Sequence, residues 1–287
     1  NVADAKTRLE ESRAWREEVN IENIMRRWGY WSSQSEPKQW IWQPQTARAQ
    51  SLEAYFFGRC VEAKTCHNGG PVLVLRLGAF DLDGAVREDL VEDLMEPWIF
   101  MVEQTFQLCR EISQRRKQLV KLACIVDIEG VSFSWLQHLS VLQTFAKAIN
   151  RHYPEMAATV TVLRAPSIFT WLWDIAGPLL LEEMTRKKVA ILGHDFRDAL
   201  AQHADVSCES LPAFLGGKAM DVPRPQVVPT GVREQLPQVE MMDVKKRSTD
   251  TAATAAKQEE SMRPKAAKRI LWQRFLRCAS CACQPCH

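Results

Sequence analysis

No stretch of eighteen consecutive apolar residues occurs in this sequence, although 46% of its 287 residues are hydrophobic. A membrane-spanning helix needs about twenty such residues, so the sequence predicts no transmembrane helix. Glycine is scarce, at 12 residues, and neither G-x-G-x-x-G nor G-x-x-x-x-G-K-[ST] occurs, which disfavours dinucleotide and P-loop nucleotide binding. The G-x-S-x-G pattern of hydrolases and the H-E-x-x-H pattern of metalloproteases are missing as well.

Histidine and cysteine give no sign of a metal centre in the folded part. The six His are scattered, without a Cys or carboxylate at ligand spacing. Because five isolated Cys lie in or beside apolar runs, we predict that they are buried free thiols. They are Cys60, Cys66, Cys109, Cys124 and Cys208. No signal peptide is visible, so we expect a reducing compartment and a cytoplasmic protein, and the polar, helix-like start at Asn1 indicates an N-terminally truncated chain.

Four short, branched runs alternate with helical patterns along the chain. Each run has the length of a strand and is apolar on both faces, which is typical of a buried parallel sheet. The runs cover residues 72–77, 122–128, 159–165 and 188–193. Helical patterns cover residues 1–31, 85–120 and 133–151, and residues 32–51 form a polar connector. This alternation predicts an α/β fold in which helices cover a mostly parallel sheet.

Asp127 and Glu129 directly follow the second of these runs. Catalytic residues of α/β enzymes often lie at this edge of the sheet. The interpretation that we favour is structural: D-I-E-G turns the chain, and the carboxylates cap the next helix.

The segment APSIFTWLWDIAGPLL, residues 165–180, concentrates apolar residues between two prolines. At helical spacing it carries one apolar face of four residues and a second of three: Ile168, Trp171, Leu172 and Ile175, and Phe169, Trp173 and Ala176. A helix of about ten residues is too short to span a bilayer. Two interpretations remain open. The helix is buried on all sides, or one face covers an apolar ligand while the other meets a membrane.

Six short motifs follow one another between residues 127 and 217. They are D-I-E-G at 127–130, Y-P-E at 153–155, A-P at 165–166, T-x-x-K at 185–188, L-G at 192–193 and L-P-A-F-L-G-G at 211–217. Their order and spacing resemble the CRAL-TRIO domain, the lipid-binding module of phosphatidylinositol-transfer, tocopherol-transfer and retinaldehyde-binding proteins. The resemblance covers about residues 55–218 and implies an apolar lipid cavity enclosed by the sheet and its helices. Residues 1–18 resemble the end of the helical region that precedes this domain.

The resemblance also implies roles for individual residues. The Trp-rich segment would be a mobile gate helix over the cavity, with the apolar residues Ile168, Phe169, Trp171, Leu172, Trp173 and Ile175. Contacts to the lipid headgroup are implied for Thr185, Lys188, Glu155, Ser132 and Ser134. Lys offers a point charge for phosphate, Thr a hydroxyl donor, and Glu an acceptor for inositol hydroxyls. The alternative is that Lys188 is a solvated residue at a strand entry and Glu155 a surface residue.

The C-terminal part differs in charge and composition from the rest. From Asp243 onward there are ten Lys or Arg against four Asp or Glu, which predicts an anionic partner for the tail. We divide the chain into a helical region and connector (1–50), the lipid-binding domain (51–218), a disordered linker (219–264) and a basic amphipathic helix with a Cys-rich end (265–287).

The last segment predicts association with a membrane surface. Its basic and apolar residues alternate as in a helix that lies on an anionic bilayer: Lys268, Arg269, Trp272, Arg274, Phe275 and Arg277. Four cysteines follow, Cys278, Cys281, Cys283 and Cys286, and beside a basic helix they favour reversible palmitoylation. A zinc site with very tight loops and a disordered end without function remain alternatives.

Together these observations predict a monomeric, cytoplasmic, peripherally membrane-associated protein without enzymatic activity. It would bind one lipid, a phospholipid such as phosphatidylinositol, and exchange or present it at membranes through the gate helix. We expect no cofactor beyond the lipid, no metal and no nucleic-acid partner. The alternative is a recruitment or protein-interaction module whose cavity is collapsed.

Overall fold

The computed structural model describes residues 2–56, 58–131, 138–166, 173, 177, 183–219 and 221, and gives only the backbone for residues 2, 3, 60, 62, 63, 139, 184 and 185. All of them belong to one compact unit, residues 1–234. The predicted linker beyond residue 221, the basic helix and the Cys-rich end lie outside the described residues, as do Ser132 and Ser134.

The N-terminal region is divided into two helices, and the prediction of one helix over residues 1–31 was wrong. Helix α1 covers Val2–Glu18 and α2 covers Ile21–Trp28. Asn20 separates them because its backbone is left-handed (φ 52°), and its side chain accepts a hydrogen bond from the Asn23 amide. Residues 29–31 already belong to a strand.

The predicted connector also contains regular structure. Strands β1 (Gly29–Ser32) and β2 (Gln39–Trp42) form an antiparallel hairpin. Helix α3 (Ala47–Glu53) follows, and the Thr46 hydroxyl caps it by accepting from the Ala49 amide at 3.1 Å. The hairpin was missed because its polar residues mask a strand pattern that is only four residues long.

Five strands form the central sheet in the order β3-β4-β5-β6-β7. They cover Gly58–Lys64, Pro71–Arg76, Leu122–Asp127, Ala157–Leu163 and Val189–Ile191. The pairings β4–β5, β5–β6 and β6–β7 are parallel, and β3 pairs antiparallel with β4 at the edge. The mostly parallel α/β sheet predicted from the four apolar runs is confirmed. The edge strand β3, which carries charged residues, was not predicted.

Five further α-helices and three short 3-10 helices (Leu77–Ala79, Cys208–Ser210 and Ala213–Leu215) are described. The α-helices are α4 (Leu82–Arg87), α5 (Met95–Arg116), α6 (Leu139–His152), α7 (Glu183–Arg186) and α8 (Arg197–Ala204). The single helical pattern expected over residues 85–120 is therefore two helices, separated by a turn around Asp89, whose φ is 55°. Among the described helices, none combines the length and apolarity needed to cross a bilayer.

One face of the sheet forms a closed core with α8. Strand residues such as Val72, Ile125 and Leu163 pack there against Phe196 and Leu200, and all of these side chains are buried. Thr161 points to the same side, and its hydroxyl lies 2.8 Å from Nδ1 of His203 on α8. Burial lowers the pKa of His203. This face is sealed by the protein itself.

The N-terminal helix is joined to the sheet domain through a buried carboxylate. Glu103 on α5 is fully buried and accepts hydrogen bonds from Arg16 of α1, from Gln107 and from the Tyr153 hydroxyl, at 2.5–2.8 Å. The indole of Trp15 stacks on the His152 imidazole at 4.0 Å between centroids. Removing any of these donors would leave the buried Glu103 carboxylate with fewer hydrogen bonds, which costs stability. These contacts therefore hold α1 against α5 and α6.

The isolated cysteines correspond only partly to the prediction of buried thiols. Cys109 and Cys124 are buried, but Cys208 is partly exposed and Cys66 is exposed, so the prediction was wrong for these two. Cys66 lies in the turn between β3 and β4, where its amide donates to the Asp205 carbonyl at 2.6 Å and its side chain stays exposed. The side chain of Cys60 lies outside the described atoms.

Candidate functional site

The sheet face opposite α8 presents a regular apolar surface. Because side chains alternate along strands, the register places four residues in each of two rows across β4–β7. One row is Leu73, Cys124, Val160 and Val189, and the other is Leu75, Val126, Val162 and Ile191. We call these eight residues the apolar sheet face. All eight are hydrophobic, and no row contains a charged residue.

Burial varies across this surface. Leu73, Leu75 and Val162 are buried, whereas Val126 and Ile191 are only partly buried. Burial also raises the pKa of the Cys124 thiol to about 12, because the thiolate would be surrounded by apolar groups. The surface is therefore closed to water on its β4 side and partly open at Val126, at Val160 and along β7, which suits contact with an apolar ligand.

A carboxylate lies between two lysines where the parallel strands begin. Oε2 of Glu155 lies 2.7 Å from Nζ of Lys188 and 3.0 Å from Nζ of Lys121. The hydrogen bonds from Lys188 and then from Lys121 lower the pKa of Glu155. The Glu155 side chain is 55% exposed, but those of Lys188 and Lys121 are only 21% and 27% exposed. This trio carries a net positive charge at an accessible edge of the sheet.

Chain order explains why these three residues meet. Lys121 precedes β5, Glu155 comes shortly before β6, and Lys188 precedes β7, while β6 lies between β5 and β7 in the sheet. The left-handed backbone of Glu155 (φ 58°) turns the chain after Tyr153, whose buried ring fixes the end of α6. Lys121 was missed from the sequence because a single lysine before a strand is unremarkable until the strand order is known.

Of the predicted headgroup residues, the structure describes the side chains of Glu155 and Lys188, and it places these two in contact. The two alternatives were a headgroup site and a pair of solvated surface residues. Glu155 and Lys188 are both accessible to solvent and are paired with each other, so either alternative stays open. Thr185 lies in α7, two residues before the turn that leads to Lys188, and only its backbone is described. Ser132 and Ser134 were placed in a segment outside the described residues.

The predicted gate segment lies mostly outside the described residues. This applies to Ile168, Phe169, Trp171, Leu172 and Ile175. Trp173 is described, is helical and is partly buried. Its indole lies so close to Gly177 that a Cβ atom at this glycine would be 3.1 Å from Cε2 of Trp173.

An ionic cluster lies at the other end of the parallel strands, where β5 and β6 finish. Asp127 is 2% exposed and accepts hydrogen bonds from the Arg164 guanidinium and, at 3.1 Å, from the Glu129 amide. Arg164 also forms an ion pair with Glu129. Both carboxylates bind Arg164, which follows β6. Capping of the next helix stays a prediction, because residues 132–137 lie outside the described residues. The expectation that D-I-E-G has a structural role fits this geometry.

The glycine of D-I-E-G is required by its backbone conformation, and a second glycine packs closely against it. Gly130 has φ 88°, a conformation that L side chains rarely adopt. Gly78 packs against the same turn, and a Cβ atom there would lie 1.7 Å from the carbonyl oxygen of Glu129. The loops that follow β4 and β5 are thus locked together beside the Asp127–Arg164 pair. In the described part of the chain, no group of three or more His, Cys, Asp or Glu is placed to hold a metal ion.

Comparisons with known proteins identify the same region. A family model described as CRAL/TRIO domain matches residues 64–217, which is more than half of the chain. A CRAL-TRIO domain-containing protein of Caenorhabditis elegans is 27% identical over 230 residues, which are 77% of this chain and 28% of that protein. The protein real-time of Drosophila melanogaster is 33% identical over 156 residues, 52% of this chain and 23% of that protein.

The chain thus spans about a quarter of the length of these relatives. Among solved structures, Sfh5 is similar with a TM-score of 0.51 at 19% sequence identity. The similarity covers 70% of this chain and 64% of Sfh5. At this identity it shows a shared fold.

Proposed function

Because the chain belongs to the CRAL/TRIO domain family, whose members bind hydrophobic ligands, we propose that it binds one phospholipid on the apolar sheet face and exchanges or presents it at membranes. The observation that carries this proposal is the pair of apolar rows across β4–β7, whose members towards β7 are only partly buried. An acyl chain gains roughly 0.8 kcal/mol for each buried CH2 group, so such a surface can compete with a bilayer for lipid.

The proposed headgroup site is the trio at the strand starts. Lys188 and Lys121 supply two positive charges for a phosphate, and Glu155 can accept hydrogen bonds from sugar hydroxyls such as those of inositol. Thr185 belongs to this proposal by its position in the chain, as do Ser132 and Ser134. Lys121 is an addition from the structure. Two cations beside one hydrogen-bond acceptor favour phosphatidylinositol, whose headgroup carries a phosphate and several hydroxyls.

The mechanism that we propose is partition without covalent chemistry. Two groups on or beside the apolar sheet face are engaged or unreactive: Asp127 is paired with Arg164, and burial raises the pKa of the Cys124 thiol, which keeps it protonated. The predicted gate segment, with Trp171 and Trp173, would open the ligand site towards the membrane. The basic tail, from Lys268 to Arg277, would hold the protein at the cytoplasmic surface of a membrane. Palmitoylation of the cysteines after it would strengthen this attachment.

Occupancy of the apolar sheet face tests the proposal directly. We expect the purified full chain to carry one lipid in native mass spectrometry and after solvent extraction. Val160→Trp should reduce the lipid-bound fraction severalfold, because the larger ring occupies a partly buried position inside one row, between Cys124 and Val189. The matched control is Val86→Trp on α4, where the side chain is exposed.

Two outcomes would reject the proposal. A chain that carries no lipid, even after incubation with phosphatidylinositol vesicles, would favour the recruitment or interaction module. Equal lipid occupancy in the Val160→Trp and Val86→Trp variants would show that the ligand binds elsewhere.

A further inference from the structure

The loop between α5 and β5, residues 117–121, exposes a leucine. Leu119 is 74% exposed, more than any other large apolar side chain in the described ranges. A single exposed leucine needs no explanation. This one differs because the backbone on both sides of it is fixed.

Ser113 fixes the loop from inside α5. Its carbonyl accepts hydrogen bonds from the amides of Lys117 and Gln118, and its hydroxyl accepts from the Val120 amide at 2.9 Å. Val120 is 3% exposed and packs with Leu108 and Ile112 of α5. Because Val120 is anchored inwards, its neighbour Leu119 is held outwards, and turning Leu119 inwards would break these contacts.

Basic residues surround this leucine. Arg115, Arg116 and Lys117 end α5, all three are exposed, and residues 112–121 contain no acidic residue. Arg115 pairs with Glu111 and Glu36, but Arg116 donates to the carbonyl oxygen of Asn68 at 2.8 Å. The loop is also packed closely on the β3–β4 turn, since a Cβ atom at Gly70 would lie 2.0 Å from the Lys121 oxygen. The surface is therefore rigid, basic and tipped by an apolar side chain.

We propose that Arg115, Arg116, Lys117 and Leu119, here named the basic loop surface, dock onto an anionic lipid bilayer with Leu119 inserted between the lipids. Cations near the surface are attracted to anionic headgroups, and insertion removes the leucine from water. A nucleic acid would satisfy the same cations but would leave Leu119 in water. The basic loop surface shares no residue with the apolar sheet face, the headgroup trio, the gate segment or the tail, although Lys121 of the trio ends the same loop. This inference therefore goes beyond the proposed function.

Photo-cross-linking locates the contact in the full chain. A benzophenone amino acid replaces Leu119 in one protein and Val86, an exposed residue of α4, in a control. Both are irradiated with vesicles of phosphatidylcholine alone and of phosphatidylcholine mixed with phosphatidylserine. We expect lipid adducts at position 119 on the mixed vesicles, and severalfold fewer on the neutral vesicles and at position 86. No adduct at 119, or equal adducts at both positions, would overturn the proposal.

Binding measurements give the size of the effect. In flotation with the mixed vesicles, Lys117→Gln should weaken binding about fivefold, as expected for one cation near an anionic surface. Leu119→Ser should also weaken it severalfold, while the control Leu9→Ser, at an exposed leucine of α1, should not. Unchanged binding of Leu119→Ser, or binding to nucleic acid without vesicle binding, would reject the bilayer contact. Lipid occupancy in native mass spectrometry should stay normal in all variants, which separates this test from that of the proposed function.

Discussion

The hydroxyl of Tyr153 donates a hydrogen bond to Oε2 of Glu103 at 2.8 Å, inside the protein. Burial raises the pKa of Tyr153, so the phenol stays protonated and remains a donor. Arg16 binds the same carboxylate from α1. The Y-P-E motif therefore has two parts with different tasks: its tyrosine joins α5, α6 and α1, and its glutamate reaches the lysines at the strand starts.

We expect Tyr153→Phe to lower the free energy of unfolding by about 1.5–3 kcal/mol, because a buried carboxylate loses a donor. Glu103→Leu should cost more, about 3–5 kcal/mol, since Arg16 then lacks its partner. Urea unfolding followed by circular dichroism measures both. Tyr30→Phe, at an exposed tyrosine, is the control and should change stability by less than about 0.5 kcal/mol. Equal effects at positions 30 and 153 would contradict the role of the buried bond.

The pKa of Glu155 reports on the trio at the strand starts. Lys188 and then Lys121 lower this pKa, so Lys188→Ala should raise it towards its ordinary value, and Lys121→Ala should raise it less. Carboxyl-carbon NMR titration of the full chain measures the change. Lys187→Ala is the control because Lys187 pairs with Glu183 instead. If the Lys188 and Lys187 variants give the same Glu155 pKa, the pairing is wrong.

The same trio predicts a pH dependence of stability. A lowered folded-state pKa contributes stability above the unfolded value, about 4.3, and the contribution is lost as the pH falls through the folded value. The difference in unfolding free energy between wild type and Lys188→Ala should thus be complete at neutral pH and shrink below about pH 4. Because Glu155 is largely exposed, we expect less than about 1 kcal/mol. A difference that grows on acidification would contradict this sign.

Headgroup recognition is a separate expectation. Lys188→Ala should weaken binding of phosphatidylinositol more than binding of phosphatidylcholine, because phosphatidylinositol carries a net negative charge, whereas the choline cation offsets the phosphate of phosphatidylcholine. Competition between the two lipids, quantified by mass spectrometry of bound lipid, measures the preference. Equal losses for both lipids would remove the trio from headgroup selection.

Alkylation of cysteines tests whether the apolar sheet face is dry. With a pKa of about 12 and no access for reagent, Cys124 should stay unlabelled by iodoacetamide at pH 8, whereas Cys66, which is exposed, should be labelled. Peptide mass spectrometry before and after unfolding in urea distinguishes them. Labelling of Cys124 in the native protein at the rate of Cys66 would show that water reaches the centre of this face.

Replacing Trp171 and Trp173 by Ser should slow the transfer of labelled phospholipid between vesicles without unfolding the protein. The reason is that the gate segment would lose most of the apolar surface with which it enters a bilayer. Trp31→Ser, at an exposed tryptophan of the β1–β2 hairpin, is the control. Transfer at the wild-type rate in the double variant would contradict the gate role.

The parallel part of the sheet could be predicted because strands buried on both faces show uninterrupted apolar runs. Strand β3 could not, since Arg59 and other polar residues lie along this edge strand. The break at Asn20 depends on a left-handed residue that helical periodicity does not reveal. Cys66 comes shortly before the apolar run of β4 in the sequence, but it lies in the β3–β4 turn and is exposed there.

In the candidate site too, residues in sequence motifs could be predicted, and residues brought together only by the fold could not. Family motifs pointed to Glu155 and Lys188, and the structure places them in contact. Lys121 belongs to no motif and is brought to Glu155 only by the strand order. The Asp127–Arg164 pair likewise joins residues 37 positions apart, so no local pattern could indicate it.

The shape of the apolar sheet face affects which lipids can fill it. Four strands at about 4.8 Å spacing make it roughly 14 Å from β4 to β7, whereas its two rows are only about 7 Å apart along the strands. A straight hydrocarbon tail therefore touches the most side chains by lying crosswise over the strands. One end of such a tail would then meet Val189 and Ile191 of β7, which has only three residues, so this small outer strand would limit how much of the tail is covered.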